Sequence, residues 1–245
     1  MSHDLLRDKV VVVTAAAGTG IGSSVARRAV EEGATVVVSD WHERRLAATA
    51  SDLGVKAITC DVTSEEQVQA LVDGTVAEYG RLDVMINNAG LGGTRSVLDM
   101  TDEEWSRVLD VTLNGTFRCT RAALRQMVSQ GGGAVVNNAS VVGWRAQEGQ
   151  AHYAAAKAGV MALTRCAAMD VAQHGIRVNA VAPSLAMHPH LAKVTSEELL
   201  RELTAREAFG RSAEPWEVAN VMVFLASDLA SYLTGEVISV SSQHP

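Results

Sequence analysis

Three cysteines in 245 residues, Cys60, Cys119 and Cys166, are scattered, odd in number and without ligand spacing, so neither a disulfide framework nor a metal site is expected. Long apolar runs are missing too, since nothing approaches the ~18 residues of a membrane-spanning helix. The opening Met-Ser-His-Asp-Leu-Leu-Arg has no apolar signal segment, and the expectation is a cytoplasmic protein with no membrane partner. Positive charge is in deficit: 21 Lys and Arg against 28 Asp and Glu leave a net charge of −7, which argues against a nucleic-acid partner. No proline-rich or charged linker divides the chain, and no internal repeat is evident. With 47% hydrophobic residues the chain is not disordered, and its length suits one domain over residues 1–245 with a sizeable core.

What is present is an alternation. Strand-like runs fall near 9–14, 34–39, 55–60, 82–87, 133–139, 176–182 and 236–240. Helical patterns fall near 20–33, 42–53, 64–79, 102–130, 151–174, 196–206 and 215–227. Strand and helix in turn predict an α/β fold, a doubly wound parallel sheet with right-handed crossovers and helices on both faces. Ligands of such sheets sit at the carboxyl ends of the strands, where Gly20, Asp40, Asp61, Asn88, Ser140 and Pro183 all fall.

Tyr153 and Lys157 lie four residues apart in the helical run HYAAAKAGVMALTR, one turn apart on one face, and Ser140 precedes the tyrosine by thirteen residues. An ammonium beside a phenol favours the phenolate, lowering a pKa that is ordinarily about 10. Tyr153 is then a candidate acid/base, and the Ser140 hydroxyl can hold the oxygen that gains or loses its proton. A Tyr-x-x-x-Lys pair alone is commonly a solvated surface pair, so its meaning depends on what surrounds it.

Near the N-terminus, Lys9-Val-Val-Val-Val-Thr14 leads into Ala-Ala-Ala-Gly-Thr-Gly-Ile-Gly22 and then a helical run from Ser23. Strand, glycine loop and helix in that order suit a dinucleotide: glycines let the backbone approach a pyrophosphate, and the helix N-terminus favours its charge. Purely conformational glycine turns look the same locally. The next strand ends in Asp40, eighteen residues past Gly22, near the offset at which a carboxylate meets an adenosine ribose. A carboxylate there repels a 2′-phosphate, so NAD is expected and NADP disfavoured. Arg44 and Arg45 either soften that preference or form the solvated face of the next helix.

These residues, with Asp61-Val62, Asn87-Asn-Ala-Gly90, Arg177-Val-Asn-Ala-Val-Ala-Pro183, Phe224-Leu-Ala-Ser-Asp228 and Thr234-Gly235, resemble the short-chain dehydrogenase/reductase family in its single-domain form. The likeness runs nearly end to end. It implies a seven-stranded parallel Rossmann sheet and reversible hydride transfer between a nicotinamide cofactor and an alcohol or ketone. It also implies that Ser140, Tyr153 and Lys157 are catalytic, with Lys157 also holding the nicotinamide ribose. Gly18, Thr19, Gly20 and Ile21 would meet the pyrophosphate, Asp40 the ribose, Asp61 and Val62 the adenine, and Asn88, Ala89 and Gly90 the adenosine ribose. The backbone from Pro183 to Ala186 would meet the carboxamide. For Asp61 a turn cap before the helix opened by Thr63-Ser-Glu-Glu is the competing reading.

Three departures from the family pattern stand out. Thr14 is followed by Ala15, and Gly22 comes eight residues after Thr14, one more than usual; Gly18 is expected to supply the freedom that Ala15 lacks. Thr112 stands where the family has an asparagine that holds a relay water, and Asn114, about 200° around a regular helix, cannot replace it. After Pro183 comes Ser-Leu-Ala-Met-His-Pro-His-Leu-Ala-Lys193, the start of an expected lid over about 184–210. In it His188, His190 and Lys193 either attract an anionic group, such as a carboxylate or a coenzyme A phosphate, or form a solvated face. Trp144 and Arg145 are further candidates for lining the pocket.

The Tyr153 helix is apolar nearly all round, which points to burial against a second subunit; the resemblance implies a homotetramer. Two functions from different classes follow. One is an NAD-dependent oxidoreductase acting on a small molecule, a hydroxyacyl-CoA or steroid-derived alcohol in a catabolic route, with 3-oxoacyl thioester reduction as its variant. The other is a non-catalytic dinucleotide sensor on the same fold. Retention of Ser140, Tyr153 and Lys157 together favours the enzyme.

Overall fold

Short valine-rich runs with no polar alternation build the centre of the molecule, because strands covered on both faces have no solvent side to accommodate. The computed structural model describes residues 3–187 and 197–242. Its strands are β1 (Val10–Val13), β2 (Thr35–Asp40), β3 (Lys56–Thr59), β4 (Val84–Asn87), β5 (Gly133–Asn138), β6 (Ile176–Pro183) and β7 (Val237–Val240). All pair in parallel, in the order β3-β2-β1-β4-β5-β6-β7.

The helices are α1 (Ile21–Glu31), α2 (Glu43–Leu53), α3 (Glu65–Tyr79), α4 (Asp102–Leu109), α5 (Gly115–Gln130), α6 (Ala151–Val171), α7 (Glu197–Ala205) and α8 (Pro215–Ala226). Successive strand residues point to opposite faces, so Val11, Val13, Val36 and Val38 pack with α1, α2 and α8. Val12, Val37, Met85 and Val135 pack with α3, α5 and α6 on the other face. Chain order runs outward in both directions from the β1/β4 pair, and the crevice above those two strands is where a doubly wound sheet binds its ligand.

The seven strands and most helices fall within a few residues of the sequence expectation. The exception is the helix expected over 102–130. A π-helical turn, Asp110–Asn114, interrupts it between α4 and α5, with Thr112 inside the turn. Such one-residue expansions re-aim side chains without ending a helix, and hydrophobic periodicity does not reveal them. His188, His190 and Lys193 of the expected lid lie outside the described residues.

Candidate active site

The glycine loop is held from beneath. Ala16 N–H donates to the Ser39 carbonyl (3.0 Å), Ala17 N–H to Asp40 Oδ2 (3.3 Å) and Gly18 N–H to Thr49 Oγ1 (3.1 Å). Ala15 itself takes φ +49°, alongside Gly18 at +97°. The expectation that Gly18 alone would carry the positive φ is therefore corrected: surrounding contacts hold an alanine where glycine costs less. Gly22 is constrained by space, since a Cβ there would lie 2.3 Å from the Ala15 carbonyl oxygen. Thr19 is exposed on the loop.

Gly20 caps α1 with no side-chain bond, and the first turn carries no acidic residue. Its N–H groups and dipole are thus left for an anion. No atom lies within 4 Å of where a Cβ would stand on Gly18 or Gly20, so both face open space. These features fit a dinucleotide pyrophosphate.

A cavity of about 900 Å³ opens on one side of this loop. Ala15, Asp40, Arg45, Asp61, Val62, Ala89, Gly90 and Asn114 are among its walls. Asp40 is nearly buried, and its two oxygens accept from Ala17 N–H and His42 N–H (2.9 Å). Fixed by two backbone donors, this carboxylate keeps lone pairs for hydroxyl groups. Arg45 lines the cavity and Arg44 does not. Asp61 Oδ1 accepts from Thr63 N–H (2.9 Å) and Thr63 Oγ1 (2.8 Å), so the turn-cap reading holds, at a site that also borders the cavity.

Asn88 does not line this cavity. Its Nδ2 donates to the Thr14 and Ala15 carbonyls, and its Oδ1 accepts from Asn138 Nδ2 (2.9 Å), which ties the glycine loop to the end of β5. Thr14, absent from the sequence candidates, is the hub: its Oγ1 accepts from both Asn88 and Ala89 N–H. Behind it Asn87 Nδ2 reaches Asn137, whose Nδ2 reaches Thr164, a fully buried polar chain beneath the site. Asparagines inside a strand were the only available signal, because Asn disfavours strands unless its amide is used.

A second cavity, about 240 Å³, lies on the other side of the loop. It is walled by Ile21, Ser140, Tyr153, Pro183 and Ala186, with Leu203, Arg206 and Glu207 closing it from the end of α7 and beyond. The loop after β6 is pinned there by Ala213 N–H to Leu185 O and Met187 N–H to Ala213 O. Arg145 also lines this cavity, whereas Trp144 is exposed outside it.

Ser140 and Tyr153 share a wall of this cavity. Lys157 Nζ stands 5.5 Å from the Tyr153 ring centre and donates to the Asn138 carbonyl. A Cβ on Gly90 would lie 3.4 Å from that Nζ, which places the ammonium between the two cavities. The charges behave differently from the simple expectation of a phenol lowered by its lysine. Burial pushes the Tyr153 phenol up to about 12, with Ser140 pulling the other way. Burial likewise draws Lys157 down to about 7. In the protein alone desolvation outweighs the pairing and favours both neutral forms.

Thr112 is fully buried, and its Oγ1 both accepts from Leu91 N–H (3.0 Å) and donates to Leu91 O (3.2 Å). The π-helical turn delivers this hydroxyl to the Gly90–Leu91 backbone. Asn114 is exposed at the rim of the larger cavity, with its Nδ2 donating to Asp110 Oδ1 (3.2 Å), so it does not stand in for the missing asparagine.

Known proteins share this architecture. A family model described as enoyl-(acyl carrier protein) reductase matches residues 15–242. A Mycobacterium tuberculosis protein, (5R,7aS)-5-hydroxy-7a-methyl-1-oxo-2,3,5,6,7,7a-hexahydro-1H-indene-carboxyl-CoA reductase, is 65% identical over 99% of this chain and 95% of its own. The cis-4-hydroxycyclohexanecarboxylate dehydrogenase of Sinomonas cyclohexanicum is 43% identical over 95% of each. A crystallised short chain dehydrogenase from Mycobacterium smegmatis superposes with a TM-score of 0.89 at 58% identity, covering 100% of this chain and 96% of that one. Among the described residues no helix is long and apolar enough to cross a membrane. The glycine loop, the seven-stranded sheet and these end-to-end relatives agree, and the chain belongs to the short-chain dehydrogenase/reductase family of oxidoreductases.

Proposed function

We propose that the protein oxidises a secondary alcohol on a small carbocycle to the ketone, with NAD as hydride acceptor and Tyr153 as acid/base. The substrate class is a ring alcohol bearing an acyl group, such as a hydroxyacyl-CoA derived from steroid breakdown. The observation that carries the reading is the meeting of Ser140 and Tyr153 on one cavity wall with Lys157 buried behind them. Ser140 holds the carbinol oxygen against the phenol, Tyr153 takes its proton, and Lys157 favours the phenolate by charge. When bound, a nicotinamide would supply the hydride acceptor for the carbinol carbon. Gly18, Thr19, Gly20 and Ile21 would hold its pyrophosphate, and Asp40, Asp61, Val62, Ala89 and Gly90 the adenosine side, with Asn88 bracing the loop from behind. Pro183 to Ala186 would hold the carboxamide.

Likeness supports the substrate class. The two named relatives act on ring compounds carrying a carboxyl or carboxyl-CoA group. Asp40 favours NAD over NADP by charge, against a smaller opposing pull from Arg45 at the cavity edge.

Location in the cytoplasm and a homotetramer complete the proposal. Ala155, Ala162 and Met169 leave an apolar stripe of α6 exposed, and sedimentation velocity on the purified chain should give the mass of four copies. Turnover of 4-hydroxycyclohexanecarboxylate, its CoA thioester, an indane-type hydroxy acid thioester and a hydroxysteroid, each with NAD and NADP, tests the chemistry by absorbance of the reduced cofactor. Activity on the ring acids or thioesters with NAD is expected. Reaction of sugars or polyols only would overturn the reading, and so would an unaltered rate in Tyr153→Phe.

A further inference from the structure

The helix that carries Tyr153 starts without a side-chain cap: Gln150 stands at the cap position of α6, and its side chain accepts from none of the first N–H groups. The first bond of the helical ladder runs from Ala154 N–H to the Gln150 carbonyl (2.8 Å), so the N–H groups of Ala151, His152 and Tyr153 fall outside that ladder. A neighbouring side chain provides for the last of them. Tyr153 N–H donates to His152 Nδ1 (2.9 Å). That nitrogen therefore bears no proton, and the imidazole supplies the acceptor that the cap position lacks.

His152 is buried, and the chain after β4 closes over it. A Cβ on Gly93 would lie 3.3 Å from His152 Nε2, and one on Gly92 would lie 3.9 Å from Cδ2 and Cε2 of the Tyr153 ring. Two successive glycines thus let one stretch of backbone rest on both rings. The same stretch is clasped to the entry of α6 a few residues on. There Arg95 N–H donates to the Gly149 carbonyl (2.8 Å), and Gly149, at φ +72°, approaches Thr94 so closely that a Cβ would lie 2.7 Å from its Cγ2. From α4, Glu104 lies within electrostatic reach of His152, pairs with Arg95 (3.0 Å) and closes the capping box with Thr101. His152 is the point at which the loop after β4, α4 and the first turn of α6 meet.

Resting on Tyr153 as the acid/base, we propose that His152 is a positioning residue for the reaction: its Nδ1 fixes the backbone of Tyr153 and thereby the aim of the phenol. His152 is not among the walls of either cavity, so it acts through Tyr153 and not on the alcohol or the dinucleotide. Ends of helices fray more readily than their interiors, and Tyr153 lies in the first turn. A misplacement of about 1 Å at a reacting group is enough to cost on the order of 10²-fold in rate. The imidazole, held under Gly93, keeps that turn closed while the phenol exchanges its proton.

The test compares the wild type with His152→Leu, which keeps the bulk and removes the acceptor, His152→Asn, which returns an acceptor oxygen to the place of Nδ1, and Tyr153→Phe. With cis-4-hydroxycyclohexanecarboxylate and NAD, His152→Leu should lower kcat about tenfold with KM within about twofold of wild type, and His152→Asn should recover most of the rate. Hydrogen exchange at the Tyr153 amide reads the bond without turnover. It should quicken about tenfold in His152→Leu and return toward the wild-type rate in His152→Asn. His152→Gln, whose polar group stands one bond farther out, takes the place of His152→Leu if that variant does not fold. An unaltered rate in Tyr153→Phe, or no oxidation by the wild type, sinks the acid/base reading, while exchange at the amide still decides whether His152 holds this turn. Equal losses of kcat in His152→Leu and His152→Asn, a loss confined to KM, or unchanged amide exchange in His152→Leu would each overturn the proposal.

Discussion

The two cavities on either side of the glycine loop are built by different means. The larger is walled at Ala15, Asp40, Ala89 and Gly90 by residues at strand ends, with the Ala17 and His42 N–H groups donating to the Asp40 carboxylate. The smaller collects Ile21, Ser140, Tyr153, Pro183 and Leu203 from five separate parts of the chain, and its chemistry depends on how deeply α6 is buried. The first wall hangs on backbone positions and on the one carboxylate that fixes them. The assembled wall fails when one side chain is lost.

The largest expected effect is therefore on the smaller side. Lys157→Met should lower kcat/KM for the preferred alcohol by about 10²–10⁴-fold, the range for a lost acid/base function, with reduced-cofactor absorbance as the readout. The same variant separates burial from catalysis through pH. The folded-state value of Lys157 is depressed to about 7 from its ordinary 10.5, so between those values the unfolded chain binds more protons. Wild-type stability relative to Lys157→Met should rise with pH across that window, by at most about 1.4 kcal/mol per unit, and fall as pH drops toward 7. Tyr153, raised to about 12, acts in the opposite sense only above about 10. Melting temperatures of both proteins from pH 6.5 to 9.5 would show it, and parallel curves would contradict it.

On the larger side, Gly22→Ala should be the most damaging change, because the new methyl group must displace the Ala15 carbonyl. Overpacking of this kind costs about 1–3 kcal/mol, and dinucleotide affinity measured by NADH fluorescence should fall with it. Asp40→Asn keeps an oxygen acceptor beside the Ala17 and His42 N–H groups while removing the charge, and should narrow the NAD-to-NADP ratio by about tenfold or more. An unchanged ratio would shift the discrimination to Arg45. Thr112→Val removes both bonds to Leu91 and should lower activity, whereas Thr112→Ser should retain most of it. The smallest effect belongs to Ala15→Gly, which relieves a positive φ at a backbone entropy cost; a change under about 1 kcal/mol in either direction is expected in chemical denaturation.

Periodicity and turn chemistry made the sheet, the crossovers and the strand-end candidates legible, since short valine runs between glycines and amphipathic helices leave few other arrangements. The same signals could not reveal the π-helical turn at Asp110–Asn114, because one added residue barely alters a hydrophobic pattern. Nor could they reveal that Thr14 and Asn138 tie the loop to β4 and β5, for these bonds join residues far apart in the chain. Asp61 was legible in both its readings, and distances to Thr63 established the cap.

By itself the sequence determined that Tyr153 and Lys157 share a helical face and that the candidate residues fall at strand ends, because spacing along a helix or strand is local geometry. Only the tertiary structure decided their environment. Burial, a property of everything packed around α6, sets the phenol high and the ammonium low, commits Thr112 to Leu91, and brings Arg145 to the wall that Ser140 and Tyr153 share.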